Sequence, residues 1–344
     1  MRQIKTALLL FGCLILLAAK GMAKDIRLSV LQLNIWQEGT MVPGGYDGIV
    51  DQITSIDPDF VTLSEVRNYN NTRLCDRLLA SLAAKGKKYY SFFSQGSGLL
   101  SRYPVTDSAV IFSESGAIYK LVANVKGREV AVYSAHLDYL NYAVYLPRGY
   151  DGVTWKKMAA PCTNLDSIMA SNLASKRDEG IAAFLRAAGE DIKAKRLVFL
   201  GGDFNEASHL DWTPATKNLF DHHGMVVPWT CSVMLQGKGY KDSYRVLFPS
   251  PEKNPGFTFP ADNKAVDVKK LAWAPDADER ERIDYIYFYP DKKLKLQKSM
   301  VVGPSGSIVR NQRVEETGKD QFLLPAGTWP TDHKGLLSVF KLEI

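Results

Sequence analysis

The sequence is poor in cysteine and histidine, with four and five of them among 344 residues. No two cysteines have CxxC spacing, which argues against a structural zinc site and excludes a disulfide-stapled miniprotein. Repeats and low-complexity tracts are also missing, and 46% of the residues are apolar against 23% charged. This composition excludes a disordered or fibrous protein and allows one large globular domain or two small ones.

Long apolar runs are scarce as well, and the clearest one, Ala7 to Ala19, is too short to span a bilayer comfortably. Basic residues precede it and small residues follow it, the pattern of a secretory signal. We therefore expect cleavage near Ala23, removal of residues 1–23 and export to the periplasm or the medium. Lipidation at Cys13 is disfavoured, because the apolar run continues past it.

The chain also lacks a large excess of one charge. Its net charge is +6, and removal of three basic residues with the signal leaves about +3. So small an excess does not by itself predict nucleic-acid binding. Of the remaining cysteines, Cys75 shares a helical apolar face and is expected to be buried and free, whereas pairing of Cys162 with Cys231 stays open.

Strands dominate the pattern that is present. The predicted helices cover residues 49–56, 74–82 and 181–188, each with one apolar face. Short apolar segments punctuated by Gly, Pro and Ser predict strands at 26–35, 59–66, 89–93, 98–102, 106–112, 118–125, 129–136, 196–201, 283–289 and 335–342. This pattern favours two packed sheets covered by helices.

Two long segments, 138–172 and 224–281, read as insertions into that core. The first is rich in tyrosine and the second in Trp, Gly, Pro and Lys, so both are expected to be ordered. We expect residues 24–344 to form a single domain with these insertions. His222 and His223, just before the second insertion, are expected to form a surface pair.

Polar side chains stand where predicted strands begin or end, and each has an ordinary explanation as a solvated charge, a structural histidine or an Asx turn. Together they suggest chemistry. Amide and carboxylate oxygens suit Mg²⁺ or Mn²⁺, and histidine beside a carboxylate suits a base for phosphate-ester hydrolysis. The residues are Asn34, Glu65, His136, Asp203, Asn205, Asp284, Asp332 and His333.

In order along the chain, these residues and their motifs resemble the endonuclease/exonuclease/phosphatase superfamily, which has the deoxyribonuclease I-like fold. The resemblance implies an α/β four-layered sandwich of two mixed β-sheets flanked by helices. Ser64 replaces the glutamine usual before the metal-binding glutamate, a change expected to affect packing only. The motifs are Asn34, Glu65, Ser101-Arg102-Tyr103-Pro104, His136, Gly202-Asp203-Phe204-Asn205, Asp242-Ser243-Tyr244-Arg245, Arg282-Ile283-Asp284 and Asp332-His333.

The resemblance also implies a division of roles. Glu65 would be the principal metal ligand, with Asn34 beside it and Asp332 holding the metal region. Asp203 and Asn205 would orient the attacking water and bind phosphate.

For the histidines, the resemblance implies that His333, paired with Asp284, is either the general base or a phosphate contact. His136 would stabilise the developing charge, and Asp242 would support the site from behind.

Three further residues are candidates for substrate binding. Arg102 belongs to one of the family motifs. Tyr139 could stack on a sugar, base or lipid head group, or simply pack the first insertion. His209 follows Asp203 closely and could reach substrate, although a turn capped by Ser208 is an equal alternative.

The sequence thus predicts an exported hydrolase that uses Mg²⁺ or Mn²⁺ to cleave a phosphodiester by in-line attack of water. Three alternatives remain: a secreted nuclease, a sphingomyelinase-like or phosphoinositide-type lipid phosphodiesterase, and an inactive phosphate-binding module. The partner is a phosphate ester, with nucleic acid and lipid head groups both left open. We infer no stable protein partner.

Overall fold

The structure, a computed structural model, describes residues 25–343. The predicted signal peptide lies outside the described residues. Within those residues no helix combines the length and apolarity needed to cross a membrane.

The first sheet has six strands in the order β13-β10-β14-β1-β2-β3. It is mixed, because β1 and β2 run parallel while β14 pairs antiparallel with β1 on its other side. The strands are β1 Ile26–Asn34, β2 Phe60–Val66, β3 Gly96–Ser101, β10 Leu294–Val302, β13 Phe322–Leu323 and β14 Gly335–Leu342.

The second sheet also has six strands, in the order β4-β5-β6-β7-β9-β8, and is mixed through the parallel pair β6 and β7. Its strands are β4 Val105–Phe112, β5 Ala117–Val125, β6 Arg128–His136, β7 Leu197–Asp203, β8 Lys241–Asp242 and β9 Asp284–Phe288. A separate hairpin joins β11, Gly306–Val309, to β12, Gln312–Glu315.

Three apolar cores make this a four-layered sandwich. One lies between the two sheets, a second lies between the first sheet and helices α1 and α2, and a third lies between the second sheet and helices α4 and α5. The helices are α1 Gly45–Ile56, α2 Leu74–Ala84, α3 Leu165–Leu173, α4 Arg177–Lys193, α5 Thr230–Gly237 and α6 Ser243–Leu247. The predicted fold class is confirmed.

One predicted strand was wrong, and three points left open or expected from the sequence can now be described. Residues 89–93 form only an isolated bridge between Tyr90 and Ser101, not a strand. The insertions are partly helical, since they contain α5, α6 and most of α3. Cys162 and Cys231 are not paired, and Cys75 is buried and free as expected.

Near the ends of β2, β6 and β7, hydrogen bonds cross between the two sheets. Ser64 donates from its hydroxyl to the carbonyl of Ala135 at 3.0 Å and accepts from the backbone N–H of Asp203 at 3.1 Å. Gly201 permits this approach, because a Cβ there would lie 2.2 Å from the Thr62 hydroxyl. Ser64 therefore has a specific task, which is to tie one sheet to the other.

His222 is not the surface residue that its pairing with His223 suggested. Its ring is 2% exposed and stacks on Trp212 with centroids 3.7 Å apart. Burial, assisted by the positive charge of Arg148, lowers the pKa of His222 to about 2. The folded protein therefore holds this imidazole neutral.

We expect His222 to weaken the fold in acid. Because its folded pKa lies below the ordinary value, the stability it contributes is fully present above pH 6.5 and declines as the pH falls from there towards 2. The slope approaches about 1.4 kcal/mol per pH unit. Urea unfolding between pH 7 and 4.5 should show about 2 kcal/mol of acid destabilisation that His222→Phe removes. The exposed neighbour supplies the control, since His223→Phe should leave the pH profile unchanged; equal profiles for all three proteins would contradict the assignment.

Candidate active site

Strand register brings three predicted site residues together at one edge of the second sheet. His136 ends β6 and is paired in register with Asp203, which ends β7. Asp203 is in turn paired with Asp284, the first residue of β9. Three residues that are distant in sequence thus become neighbours through backbone pairing alone.

The first sheet contributes from the facing edge. Asn34 ends β1, and Glu65 lies near the end of β2 at a break in the pairing with β3 between Ser64 and Val66. Glu65 has a φ of 72°, in the left-handed region that side chains other than glycine rarely adopt. Such a bulge re-aims a side chain, and here the Glu65 carboxylate lines the cavity between the sheet edges.

His333 sits between two carboxylates. Its Nδ1 lies 2.8 Å from Asp284 Oδ2, and its Nε2 lies 3.9 Å from Asp203 Oδ2. Burial alone would lower the pKa of His333, but Asp284 and Asp203 outweigh burial and raise it to about 10. His333 is therefore an imidazolium at neutral pH, which makes it a proton donor rather than a free base.

In Asp203 the surroundings favour the neutral form, whereas in His333 they favour the charged form. Burial, with a further contribution from Asp284, raises the pKa of Asp203 to about 7, although His333 opposes the shift. Its Oδ1 accepts the backbone N–H of Asn205 at 2.9 Å, and its Oδ2 accepts the Asn34 amide at 2.9 Å. A carboxylate with a pKa near 7 is suited to accept a proton at neutral pH.

Both ends of the Asn34 amide form hydrogen bonds. Its Oδ1 accepts the backbone N–H of Trp36 at 2.8 Å, so its Nδ2 faces the site and donates to Asp203 and to Glu65. Asn34 therefore holds the carboxylates of Asp203 and Glu65 in place and lies beside Glu65.

Two sets of side chains have donors for a cation. Glu65 and Asp332 line the same cavity, and burial together with the charge of Glu65 raises the pKa of Asp332 to about 7. For Glu65, burial opposes ionisation, but His136, Arg67 and His333 outweigh it and lower the pKa.

The second set is Asp203, Asp284 and His333, whose ligand atoms lie within 4.8 Å of one another. Across both sets, the carboxylates number four and the cations, Arg67 and protonated His333, number two. When all four acids are ionised the excess is two negative charges, which fits a divalent cation.

The remaining predicted site residues fall into two groups. His136, Asn205 and Tyr139 line the same cavity of about 340 Å³, as do Glu65, Asp203, Asp332 and His333. Burial lowers the pKa of His136 to about 4, so its ring is neutral at pH 7. Asn205 uses one side-chain N–H to donate to the Leu137 carbonyl at 3.1 Å.

Arg102 and His209, the other two predicted substrate contacts, do not line this cavity. Arg102 follows β3 at the end of the sheet away from Glu65 and pairs with Asp57 at 2.8 Å. His209 is held by Ser232 and Gln236 at 2.8 and 2.6 Å on a different face.

The capped turn that was the alternative reading of this segment is present, since Leu210 N–H donates to the Ser208 hydroxyl. Asp242 accepts from Arg282, two residues before Asp284, at 2.6 Å, and so supports the site only indirectly.

Arg67, Trp155 and Trp273 are among the side chains that line the cavity but were not assigned to the site from the sequence. Arg67 lies 3.3 Å from Glu65, and its position two residues after that glutamate was an available signal. The two tryptophans belong to separate insertions, and nothing in their spacing indicates that they meet.

The fold and this cavity describe an α/β sandwich with an acidic, histidine-containing site where its two sheets meet. A model of the endonuclease/exonuclease/phosphatase family matches residues 31–333. The chain belongs to that family.

Individual relatives are distant. An uncharacterised protein of Caenorhabditis elegans is 27% identical over 268 residues, which are 75% of this chain and 77% of that protein. The structure is similar to TDP2 of D. rerio complexed with single-strand DNA product, at 15% identity, TM-score 0.50 and coverage of 92% and 99% of the two chains. It is also similar to the human Nocturnin catalytic domain with bound sulfate, at 15% identity, TM-score 0.51 and coverage of 93% and 96%. At these identities the two structures establish the shared fold.

Proposed function

We propose that the protein is an exported, divalent-metal-dependent phosphodiesterase that cleaves its substrate by in-line attack of water. The observation that carries the proposal is that two groups suited to proton transfer line one cavity. They are Asp203, a carboxylate with a pKa of about 7, and the neighbouring imidazolium of His333. The predicted signal peptide supports export, and family membership supports phosphate-ester hydrolysis.

Glu65 and Asp332 are the residues we expect to hold the metal, Mg²⁺ or Mn²⁺. Both offer hard oxygen donors. Without a counterion, the negative charge of Glu65 disfavours ionisation of Asp332. The cluster of Asp203, Asp284 and His333 fits less well, because His333 Nδ1 is already engaged by Asp284. A bound divalent ion would neutralise charge on the non-bridging oxygens of the phosphate.

Asp203 is the proposed general base. Its carboxylate lines the cavity, and the Asn34 amide and the Asn205 backbone N–H fix its orientation. A water molecule hydrogen-bonded to Asp203 would lose its proton to the carboxylate as its oxygen bonds to phosphorus. The phosphorus–oxygen ester bond on the opposite side would break, and the leaving oxygen would depart as an alkoxide that takes a proton from water.

The two histidines then have different tasks. His333, as an imidazolium fixed by Asp284, donates from Nε2 to a phosphate oxygen and stabilises charge that grows during the reaction. His136 is neutral and offers an uncharged N–H from the opposite edge. The choice left open by the sequence, base or phosphate contact for His333, is resolved in our proposal in favour of the phosphate contact.

The substrate class follows less directly. The complex of D. rerio TDP2 with single-strand DNA product supports a nucleic-acid ester as the leading candidate.

The proposal is tested with bis(p-nitrophenyl) phosphate and purified protein. Hydrolysis should require added Mg²⁺ or Mn²⁺, stop on addition of EDTA and return when metal is supplied in excess. The control is Asp107→Asn, which changes an exposed carboxylate on β4 and should retain full activity. Hydrolysis that continues at the same rate in EDTA would overturn metal dependence, and metal-loaded protein without any hydrolysis would support the inactive binding module.

A further inference from the structure

The two insertions meet at the rim of the cavity in a group of three aromatic rings that the proposed chemistry does not use. Trp155 lies in the first insertion and Trp273 in the second, with ring centroids 5.0 Å apart. Tyr139 adjoins Trp155 at 6.2 Å. All three line the cavity that contains Asp203 and His333, and we call them the aromatic wall.

The wall is open to a ligand. Tyr139 is 50% exposed and Trp273 is 43% exposed, although large rings are usually buried. Exposed apolar surface gathered beside polar groups that converge in a pocket is typical of a ligand site.

Hydrogen bonds hold the backbone that carries each of the three rings. The buried Arg177 donates to the carbonyls of Asp138 and Leu140 on either side of Tyr139, at 2.8 and 2.9 Å. Trp155 N–H donates to the Asp151 carbonyl at 3.0 Å. The backbone of the aromatic wall is therefore preorganised, so a ligand need not order it on binding.

The third ring is fixed in the same way. Trp273 N–H and Ala274 N–H both donate to the carboxylate of Glu279, at 3.1 and 3.0 Å, and the Tyr145 hydroxyl donates to it at 2.7 Å. Glu279 is itself 1% exposed. The loop that carries Trp273 is thus tied into the buried part of the second insertion.

We propose that the aromatic wall binds a nucleobase of the substrate, so that the phosphodiester cleaved at Asp203 and His333 belongs to a nucleotide. This inference rests on the proposed function and narrows it to a substrate class. Aromatic rings stack on any base, because every base has a π-face. The cavity of about 340 Å³ is within the size range of sites for small ligands.

Charge around the wall separates this reading from a quaternary ammonium ligand, which aromatic rings also bind. A cation would gain from a free carboxylate nearby. Asp276 instead pairs with Lys157 at 2.9 Å, and Asp151 accepts the backbone N–H groups of Val153 and Thr154. With these acids engaged, and with the excess negative charge of the cavity assigned to the proposed divalent ion, a neutral planar group fits the wall better than a second cation.

The test compares two phosphodiesters with the same leaving group, thymidine 5′-(p-nitrophenyl phosphate) and methyl p-nitrophenyl phosphate, on metal-loaded protein. Stacking should favour the thymidine ester by about tenfold or more in kcat/KM. Trp155→Ala and Trp273→Ala should each lower the ratio of the two kcat/KM values by about tenfold, while Trp273→Phe should keep most of it. Phe93→Ala removes an exposed ring that does not line the cavity and should leave the ratio unchanged.

Calorimetric binding of thymidine 5′-monophosphate gives a second readout that is independent of turnover. If neither ester is hydrolysed but nucleotide binding still weakens in the tryptophan variants, the proposed function fails and the base site stands. If both esters react and no wall variant changes the ratio, the base site fails and the phosphodiesterase stands. Preferred hydrolysis of p-nitrophenylphosphorylcholine, lost in Trp155→Ala, would assign the wall to a cation and overturn the inference.

Discussion

Asp203→Asn should lower kcat/KM for a phosphodiester by about 10²- to 10⁴-fold, the range ascribed to a positioned acid or base. Asparagine keeps the size of the side chain but cannot accept the proton of the attacking water. Steady-state rates at pH 7 with saturating Mn²⁺ measure the effect, and circular dichroism confirms that the variant is folded.

The pairing of Asp203 with His333 makes the prediction sharper. Groups that act as one unit lose activity non-additively, so Asp203→Asn combined with His333→Gln should be little worse than the more severe single variant. Asp107→Asn serves as the matched control, because it removes an exposed carboxylate of the same type. An Asp203→Asn enzyme that retains a third of wild-type activity would remove Asp203 from the mechanism.

Glu65→Gln should abolish the metal-dependent part of both activity and thermal stability. A metal that binds only the folded protein stabilises it by about 2.7 kcal/mol when its concentration is 100 times its Kd. Wild-type protein should therefore melt several degrees higher in Mn²⁺ than in EDTA, and Glu65→Gln should melt at nearly the same temperature in both.

Two controls locate the metal. Glu190→Gln changes an exposed carboxylate on α4 and should leave the Mn²⁺-induced rise intact. If Glu65→Gln keeps the rise while Asp284→Asn loses it, the ion binds at the cluster of Asp203, Asp284 and His333 instead. Calorimetric titration with Mn²⁺ gives the same comparison without heating.

The sheet framework was accessible from the sequence because it depends on local pattern. Residues 335–342 were predicted to the residue, since their apolar character has clear boundaries. Strand β10, Leu294–Val302, was not assigned bounds, because its alternation is interrupted by the register shift between Leu296 and Lys298. Residues 89–93 were wrongly predicted to be a strand, because their aromatic side chains favour one. In the structure they form only an isolated bridge.

From the sequence, the site could be predicted as a set of residue types but not as an arrangement in space. Polar residues at strand ends indicated the edge on which the chemistry would gather, and register placed His136 and Asp203 there. The direction of the Asn34 amide could not be foreseen, because it depends on the Trp36 N–H in a turn of left-handed backbone. Nor could the contact between Trp155 and Trp273, which depends on how two long loops fold over each other.

The position of β14 in the first sheet affects when the protein can become functional during its synthesis. This strand is among the last parts of the described chain to be made, yet it lies between β10 and β1 and directly follows Asp332 and His333. Until β14 emerges from the ribosome, β1 lacks a hydrogen-bonding neighbour on one side, and Asn34 lacks the His333 imidazole that lies beside it in the folded protein. Nascent chains that stop before residue 335 should therefore be inert, and the proposed catalytic site should assemble only after β14 has emerged from the ribosome.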